Sequence, residues 1–238
     1  MHFKQIVDDL IMATQRLTFS DPVTHVYNPL VYARKPHDLY WRRFGHLGAP
    51  TMLLGMNPGP WGMVQTGVPF GEIPAVRDWM GISGPVGKPA LEHPKRPVEG
   101  FDCSKSEVSG RRLWGWARNA FGHPENFFAQ FFVVNYCPLV FMEAGGRNRT
   151  PNNLPAAEKK PLLDACDHAL RQIVNLLKPE HVIGIGAFAE QRAKVALGEF
   201  DVCIGRITHP SPANPKANRG WEGVITAELK GMGIGHRA

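Results

Sequence analysis

Four short apolar runs, separated by helical patterns, constrain the fold of this chain more than any other feature of its sequence. Their lengths and the turn residues that flank them are typical of buried strands. Strands that alternate with helices along a chain predict a parallel sheet with helices on both faces. The runs are residues 51–56, residues 131–134 within the segment 127–135, residues 181–186 and residues 202–207.

Apolar residues at helical spacing predict the helices that lie before, between and after these runs. Ser109 is the expected N-cap of the helix that ends near residue 121. Pro161 fits only the first turn of a helix, so regular helix should begin near it. The Gly- and Pro-rich segments 84–102 and 142–155, and the proline-bearing segment after the first helix, are expected to be irregular. The predicted helices cover residues 2–17, 75–82, 109–121, 156–178, 187–197 and 216–230.

The chain of 238 residues can form one sizeable α/β domain or two small ones, and no change in composition marks a second domain. We therefore expect a single domain over residues 1–238. The sequence contains neither an apolar stretch of membrane length nor a signal-peptide pattern, which predicts a cytoplasmic or otherwise intracellular protein. Such a protein would be nucleoid-associated in a bacterium and nuclear in a eukaryote.

The charge balance is basic, with 27 Lys and Arg against 21 Asp and Glu and a sequence pI of about 9.3. This balance is consistent with a polyanionic partner, although many basic proteins bind no nucleic acid. The basic residues are not grouped in one block, so a basic patch would have to form in three dimensions. No two cysteines have CxxC spacing, so a zinc or iron–sulfur site has little support and reduced thiols are expected. The cysteines are Cys103, Cys137, Cys166 and Cys203.

The first apolar run leads into a long loop, rich in Gly and Pro, that continues to about residue 71. Long ordered loops in compact domains are usually functional. Asn57 is the first polar side chain after the run, at the edge where open α/β sheets bind ligands. It either projects into that crevice or caps the turn, as asparagine often does. Phe70, near the end of the loop, either stacks on a planar ligand or anchors the loop in the core.

Three of the predicted strands lead into a polar residue: Asn57, Asn135 and His209. In a parallel sheet the carboxyl ends of the strands share one edge, so we expect these side chains to lie close together. Each residue alone has an ordinary structural explanation, such as a histidine that the backbone satisfies at a strand end. Their convergence on one edge favours a functional site.

These side chains suit a site that recognises and releases a nucleobase. The amide of Asn135 carries both a donor and an acceptor, so it can pair with adjacent C=O and N–H groups, as on uracil, while Phe70 stacks on the ring. His209 can donate to a carbonyl oxygen that gains negative charge as the base departs. Asn57 is not basic, but its carbonyl oxygen can hold a water that attacks once a sugar cation has formed.

The loop that follows His209 carries groups that suit contact with DNA phosphates. Hydroxyls, amides and cations before a helix N-terminus bind phosphate, and the prolines would stiffen the loop into a wedge that enters a duplex. The alternative is an ordinary solvated loop. The candidate DNA-binding residues are Ser211, Pro212, Ala213, Asn214, Lys216, Asn218 and Arg219.

Together these motifs closely resemble those of the single-strand-selective monofunctional uracil-DNA glycosylase family. The resemblance spans about residues 25–230, nearly the whole chain, and the combination of motifs is highly specific. The matching motifs are Asn57-Pro58-Gly59-Pro60, Gln65-Thr66-Gly67-Val68-Pro69-Phe70-Gly71, His93-Pro94-Lys95-Arg96-Pro97, Ser106-Glu107-Val108-Ser109-Gly110, Val134-Asn135-Tyr136-Cys137-Pro138-Leu139, and His209-Pro210-Ser211-Pro212 with Asn214-Pro215, Ala217-Asn218 and Gly220-Trp221.

The resemblance implies a uracil-DNA-glycosylase-like fold of three α/β/α layers around a central four-stranded parallel sheet. It implies a hydrolase that flips out uracil, and 5-hydroxymethyluracil, from single- and double-stranded DNA and leaves an abasic site. The family needs no metal or cofactor. The implied partner is DNA that contains uracil or oxidised pyrimidines, bound by a monomer that does not associate with membranes.

The same resemblance implies roles for individual residues. Asn57 would orient the attacking water, and His209 would stabilise the departing uracil anion. Gly59 would leave room for a substituent at C5 of the base, where a side chain would crowd it. The residues implied to bind the base are Met56, Gly59, Phe70 and Asn135.

One position departs from the family, because vertebrate members carry Arg where this chain has Ala213, a smaller wedge without charge.

Two alternatives to uracil excision remain. The first is a relative with a shifted base preference, such as xanthine or hypoxanthine, because rotation of the Asn135 amide can fit other base edges. The second is a DNA-binding module without catalysis, which the basic charge fits equally well, although a binder would not need Asn57 beside His209.

Overall fold

Two β-sheets organise the polypeptide in the computed structural model, which describes residues 2–235. The larger sheet is parallel throughout and has the order β3-β2-β6-β7, so the prediction of a four-stranded parallel sheet is confirmed. The smaller sheet is antiparallel and has the order β1-β4-β5. The strands are β1 (Val23–Tyr27), β2 (Thr51–Gly55), β3 (Phe131–Asn135), β4 (Val140–Glu143), β5 (Asn148–Arg149), β6 (His181–Ile185) and β7 (Cys203–Ile207).

Helices flank the parallel sheet, as the sequence predicts. The α-helices are α1 (Phe3–Thr14), α2 (Pro29–Tyr32), α3 (Arg34–Phe44), α4 (Met63–Thr66), α5 (Val108–Phe121), α6 (Pro124–Phe128), α7 (Ala156–Leu177), α8 (Ala187–Ala196) and α9 (Trp221–Gly231). Helix α8 contacts β6 and β2, α9 contacts β7, and α6 contacts β3. Within residues 2–235, none of the helices combines the length and the apolar character that crossing a bilayer requires.

Strand β2 lies in the middle of the parallel sheet, and all five of its residues are buried. Its register places Gly55 opposite Asn135 of β3. Backbone hydrogen bonds continue beyond the strand ends, from Tyr136 N–H to Gly55 O at 2.9 Å and from Cys137 N–H to Met56 O at 2.8 Å. The segments that leave β2 and β3 therefore start side by side at one edge of the sheet.

Strand β3 is an edge strand, and Tyr40 of α3 covers its free side. The Tyr40 hydroxyl donates to the carbonyl of Val133 at 2.9 Å and accepts from the N–H of the same residue at 3.3 Å. The tyrosine ring stacks on Phe132, with 5.1 Å between the ring centroids. Because an uncovered edge strand can pair with another chain, this contact both seals the sheet and holds α3 against it.

The prolines suggested that the segment after the first helix would be irregular, but the structure contains regular elements there. Pro29 and Pro36 lie in the first turns of α2 and α3, where a missing N–H costs nothing. Strand β1 follows Pro22 and pairs with β4. The antiparallel sheet escaped prediction because β1 has polar residues in its middle and no alternating burial, and because β5 has only two residues.

Three predictions about helix starts are wrong. Helix α5 begins at Val108 and is capped by Glu107, whose carboxylate accepts from the Ser109 N–H at 3.4 Å, so Ser109 is not the cap. Helix α7 spans Ala156–Leu177, which confirms the predicted range 156–178, but its regular part does not begin near Pro161. The helix includes this proline because its buried face packs on α1 and α8, and these tertiary contacts outweigh the lost hydrogen bond. The closing helix is interrupted at Gly220, whose φ of 107° separates a 3₁₀ turn from α9.

Two predicted elements differ in detail. The predicted helix over residues 75–82 is a single π-helical turn, Ala75–Trp79. The apolar segment 127–135 holds the end of α6 as well as β3, so it belongs to two elements. The segment 84–102 is irregular as predicted, apart from the 3₁₀ turn Gly100–Asp102.

His37 of α3 ties this helix to the loop that follows α4. Its side chain is 4% exposed, and Nδ1 donates to the carbonyl of Gly67 at 2.8 Å. Burial lowers the pKa of His37 from 6.5 to about 4. The folded protein therefore binds fewer protons than the unfolded chain between these two pH values, so acid favours unfolding.

We expect the free energy of unfolding to be highest above pH 6.5 and to fall as the pH decreases toward 4. The lowering of the His37 pKa from 6.5 to about 4 corresponds to a loss on the order of 3 kcal/mol over this window. A His37→Gln variant keeps an N–H donor for Gly67, so it should show a shallower decrease in urea denaturation at pH 7, 6, 5 and 4. A His46→Gln variant, altered at an exposed histidine, serves as control. Equal slopes for His37→Gln and the parent protein would contradict this prediction.

Candidate active site

A cavity of about 220 Å³ opens at the carboxyl edge of the parallel sheet. Asn57 after β2, Asn135 at the end of β3 and His209 after β7 all line it, so the predicted convergence of the three strand ends is observed. Four more of the residues singled out in the sequence line the same cavity. These are Met56, Gly59, Phe70 and Ser211.

Asn135 presents an amide that the protein itself leaves largely unpaired. Its Oδ1 is buried and has no hydrogen-bond partner among the described residues. Its Nδ2 reaches only the sulfur of Met63, at 3.3 Å. A buried polar group without a partner costs about 1–3 kcal/mol, so this amide is a strong candidate for hydrogen bonding to a ligand.

Gly55 allows Asn135 and Phe70 to meet over the end of β2. A methyl group built on Gly55 would lie 2.3 Å from Asn135 Oδ1 and 2.6 Å from Phe70 Cε2. Any side chain larger than hydrogen at this position would therefore displace the amide or the ring. The Phe70 ring and the unpaired Asn135 amide can lie next to each other because position 55 has no side chain.

Phe70 has a strained backbone that the surrounding structure holds in place. Its φ of 53° lies in the left-handed region, which is unfavourable for a residue with a bulky side chain. The indole N–H of Trp114 donates to the Phe70 carbonyl at 3.0 Å. Gly110 makes room for the same carbonyl, because a methyl group there would lie 2.0 Å from it. Such strain clusters at functional sites, where it fixes the direction of a side chain.

His209 is held as a neutral ring in one tautomer. The backbone N–H of Ser211 donates to its Nδ1 at 3.0 Å, so the proton of the neutral ring lies on Nε2. Burial lowers the pKa of His209 from 6.5 to about 4, which keeps the ring uncharged at neutral pH. Its centroid lies 6.2 Å from that of the Phe70 ring. The site therefore offers one N–H donor at Nε2.

The backbone next to His209 is fixed by Glu228 of α9. The Glu228 carboxylate accepts from the Thr208 N–H at 2.6 Å and from the Thr208 hydroxyl at 2.7 Å. The indole of Trp221, also on α9, donates to the Thr208 carbonyl at 2.7 Å. These bonds couple the position of the histidine to the helix that packs on β7.

The amide of Asn57 is oriented by one hydrogen bond. Its Nδ2 donates to the carbonyl of Leu139, in the segment after β3, at 3.2 Å. A backbone carbonyl can only accept, so this bond identifies the NH₂ end of the amide and leaves its Oδ1 available as an acceptor. The prediction that Asn57 merely caps a turn does not fit this long-range bond across the edge of the sheet.

The loop after His209 is braced from within. Arg112 of α5 donates to the Pro210 carbonyl and to Asn218 Oδ1, both at 2.9 Å. The Asn218 amide also donates to the Pro212 carbonyl at 2.9 Å. Asn214 donates to the His209 carbonyl at 3.2 Å. The two asparagine side chains therefore stabilise the loop, and in this state their amides are engaged within it.

The exposed part of this loop carries the remaining candidate DNA-binding residues. Pro212 and Ala213 are exposed at its tip. Lys216 and Arg219 are exposed as well, and Lys216 lies 3.2 Å from the Glu228 carboxylate. The loop thus presents a small apolar tip followed by two cations, next to the mouth of the cavity that Ser211 lines.

Several polar residues that line the cavity have no role in the sequence-based prediction. Glu107 reaches it from the start of α5, and burial raises the pKa of its carboxyl group. Asn148 and Thr150 reach it from β5 and the segment behind it, and Asn148 Oδ1 is buried without a partner. The positions of Asn148 and Thr150 depend on the unpredicted antiparallel sheet, so no local sequence pattern could reveal these two residues. Only the Ser106–Gly110 motif gave a signal for Glu107 and Ser109.

The part of the chain from residue 2 to residue 235 contains no group of three or more His, Cys, Asp or Glu side chains that could hold a metal ion. The four cysteines are free, and Cys203 is the exposed one among them. The chemistry available in the cavity comes from amides, one neutral imidazole, hydroxyls and a single carboxyl group.

Comparisons with known proteins identify the family of this chain. The model of the uracil DNA glycosylase superfamily matches residues 43–229. The single-strand selective monofunctional uracil DNA glycosylase of Bos taurus is 50% identical over 92% of this chain and 82% of its own length. The Mus musculus protein of that name is 48% identical over 92% of this chain and 79% of its own length. The crystal structure of wild-type Pedobacter heparinus SMUG2 superimposes with a TM-score of 0.66 at 18% identity, covering 96% of this chain and 97% of that one, which supports the fold. The chain belongs to the uracil DNA glycosylase superfamily and, within it, to the single-strand selective monofunctional uracil DNA glycosylases.

Proposed function

We propose that this enzyme excises uracil, and also 5-hydroxymethyluracil, from single- and double-stranded DNA by hydrolysis of the N-glycosidic bond. The base is flipped into the cavity at the sheet edge, and an abasic site remains in the DNA. The observation that carries this proposal is the unpaired amide of Asn135 beside the Phe70 ring, in one cavity with a neutral histidine donor.

Recognition of the base rests on Asn135 and Phe70. A uracil places the N3–H donor next to carbonyl acceptors, and the Asn135 amide offers the complementary acceptor and donor. Phe70 supplies the aromatic face on which the flipped ring stacks. Met56 and Gly59 form part of the remaining wall, and Gly59 leaves space for a substituent at C5.

His209 acts on the leaving group. As the glycosidic bond breaks, its electron pair moves into the base and negative charge builds on O2. The Nε2–H of the neutral imidazole donates to this oxygen, as a neutral histidine does when it acts as an electrophile. A donor aimed at developing charge typically contributes about 10²–10³ in rate.

Asn57 acts on the nucleophile. Its free Oδ1 accepts a hydrogen bond from a water and holds it near C1′ of the flipped nucleotide. Because bond cleavage runs ahead of attack and leaves a cationic sugar, positioning suffices and no strong base is needed. The water adds its oxygen to C1′ and releases a proton to solvent, and the departed base anion takes up a proton from solvent, so that the neutral base and an abasic sugar result. None of the described residues that line the cavity is a lysine, which favours a monofunctional enzyme over one that attacks C1′ with an amine.

The loop over residues 210–219 would insert next to the flipped nucleotide. The exposed tip, Pro212 and Ala213, fills the gap that the base leaves, and Lys216 and Arg219 contact the flanking phosphates. The small uncharged Ala213 makes this a modest wedge. We further propose that the enzyme acts as a monomer inside the cell, in the compartment that holds the DNA.

The test of this function is an excision assay on oligonucleotides that differ only in one base. The panel contains uracil, 5-hydroxymethyluracil, xanthine, hypoxanthine and thymine, each in single-stranded and double-stranded form. We expect alkali-sensitive abasic sites from uracil and 5-hydroxymethyluracil and none from thymine. Faster release of xanthine or hypoxanthine than of uracil would replace this proposal with a purine-directed activity. DNA binding without release of any base would indicate a non-catalytic module.

Removal of either catalytic side chain should reduce excision and leave DNA binding intact. We expect His209→Ala to lower the single-turnover rate on uracil by about 10²–10³ because the developing charge loses its donor. Asn57→Ala should lower it by about 10² or more because the water is no longer held. A His46→Ala variant, altered at an exposed histidine, controls for the substitution. Rates within twofold of the parent enzyme for either active-site variant would remove its assigned role.

Binding to DNA should depend steeply on salt because phosphate contacts release counterions. Replacing Arg219 by Ala should reduce the slope of log K against log salt by about 0.9 on duplex DNA, the value of one phosphate contact. Lys178 lies before β6, at the opposite edge of the sheet, so a Lys178→Asn variant should keep the full slope. The two slopes are measured by fluorescence anisotropy between 50 and 300 mM salt, that is, over roughly a sixfold range. Identical slopes for both variants would contradict the phosphate contact.

A further inference from the structure

Glu107 extends into the active-site cavity across two glycines. A methyl group built on Gly59 would lie 2.4 Å from Glu107 Oε2, and one on Gly62 would lie 2.9 Å from Glu107 Cγ. The path of this side chain is therefore open only because neither position carries a side chain. The carboxyl group lines the cavity next to Gly59.

One oxygen of this carboxyl group has a structural partner and the other has none. Oε1 accepts from the Ser109 N–H at 3.4 Å and caps α5. Within residues 2–235, Oε2 has no hydrogen-bond donor and no cation paired with it. A partly buried carboxyl group without a counter-charge is costly, and burial raises the pKa of this one.

Capping alone does not explain a glutamate at this position. Ser, Thr, Asp and Asn are the preferred N-caps, because a short side chain reaches the N–H two or three residues ahead. The extra methylene of Glu107 is what brings its second oxygen to Gly59. Glutamate is therefore a poorer N-cap than these shorter residues, but unlike them it places a second carboxyl oxygen at the cavity wall.

The orientation of a bound pyrimidine identifies what this oxygen would face. This step rests on the proposed function. In a uracil ring C5 lies across from C2, so a base with O2 at His209 and its N3 edge at Asn135 directs C5 toward the remaining wall. Gly59 and Glu107 are neighbouring lining residues, and we assign them to that wall.

We propose that Glu107 determines which 5-substituted uracils this enzyme accepts. Its Oε2 accepts a hydrogen bond from the hydroxyl of a 5-hydroxymethyl group. The same oxygen disfavours a substituent that carries negative charge, such as the carboxylate of 5-carboxyuracil, through like-charge repulsion at short range. Glu107 is thus a specificity-determining residue, and Asn57 and His209 remain the residues that act on the scissile bond.

Two substitutions separate this role from capping. In Glu107→Asp the side chain keeps a cap oxygen but is one methylene shorter, so the second oxygen withdraws from Gly59. In Glu107→Gln the Ser109 N–H holds the amide oxygen at the cap, which places the NH₂ group where Oε2 was. The first change removes the acceptor, and the second replaces it with a donor.

The experiment measures kcat/KM for uracil, 5-hydroxymethyluracil and 5-carboxyuracil in the same duplex, and compares the ratios to uracil within each protein preparation. For Glu107→Asp we expect the preference for 5-hydroxymethyluracil to fall about tenfold, as for loss of one hydrogen bond to a charged group. For Glu107→Gln we expect the relative rate on 5-carboxyuracil to rise about tenfold or more. A Glu125→Gln variant, altered at an exposed glutamate at the start of α6, should leave both ratios unchanged.

A gain on 5-carboxyuracil cannot result from a damaged fold, and ratios taken within one preparation are independent of its active fraction. Unchanged ratios in both variants, with uracil still released, would overturn the proposal and leave Glu107 as a helix cap only. Absence of uracil release by the parent enzyme would instead overturn the proposed function, and the role of Glu107 with it. The two failures are therefore distinguishable.

Discussion

The register between β2 and β3 is the constraint on which the candidate active site depends. Gly55 pairs with Asn135, so the amide projects over a residue that has no side chain, and the segment carrying Asn57 leaves the sheet next to it. A shift of one residue would turn Asn135 to the other face of the sheet. Complete burial of β2 fixes the register, because the same shift would misplace Met52, Leu53 and Leu54 in the core.

The loop between β2 and α4 needs a second constraint, which Gln65 provides. Its fully buried amide uses all of its bonding capacity on backbone groups. Nε2 donates to the carbonyls of Pro60 and Pro97 at 3.0 and 2.9 Å, and Oε1 accepts from the N–H groups of Glu99 and Gly100 at 2.8 and 3.1 Å. A fully satisfied buried amide rigidifies its surroundings. The loop that carries Gly59 is therefore fastened to a segment that lies 32 to 35 residues after Gln65.

The sequence predicted those parts of the site that depend on local patterns. Asn57, Asn135 and His209 each follow an apolar run, and parallel pairing brings the ends of such runs together. Glu107 and Asn148 could not be placed in this way, because one reaches the cavity from a helix start and the other from a two-residue strand. The incorrect assignment of Ser109 as the cap concealed the unusual length of the true cap residue. Short sequence patterns do not encode the long-range packing that brings Glu107 and Asn148 to the cavity.

Three unusual features of this structure lie around one cavity, although others, such as the positive φ of Lys178 and the unpaired Gln172 Oε1, lie elsewhere. Among residues 2–235, the buried Asn135 Oδ1 has no partner, Phe70 has a positive φ, and Glu107 Oε2 accepts no hydrogen bond. The unpaired amide oxygen and the strained backbone each cost about 1–3 kcal/mol. The aromatic core around Tyr40 and Phe44 gains stability by burial and can offset these costs. Their grouping is what a site shaped for its ligand requires, because a nucleobase can pair with the amide and stack on the ring. If the same features were scattered over the fold, no single ligand could compensate for them.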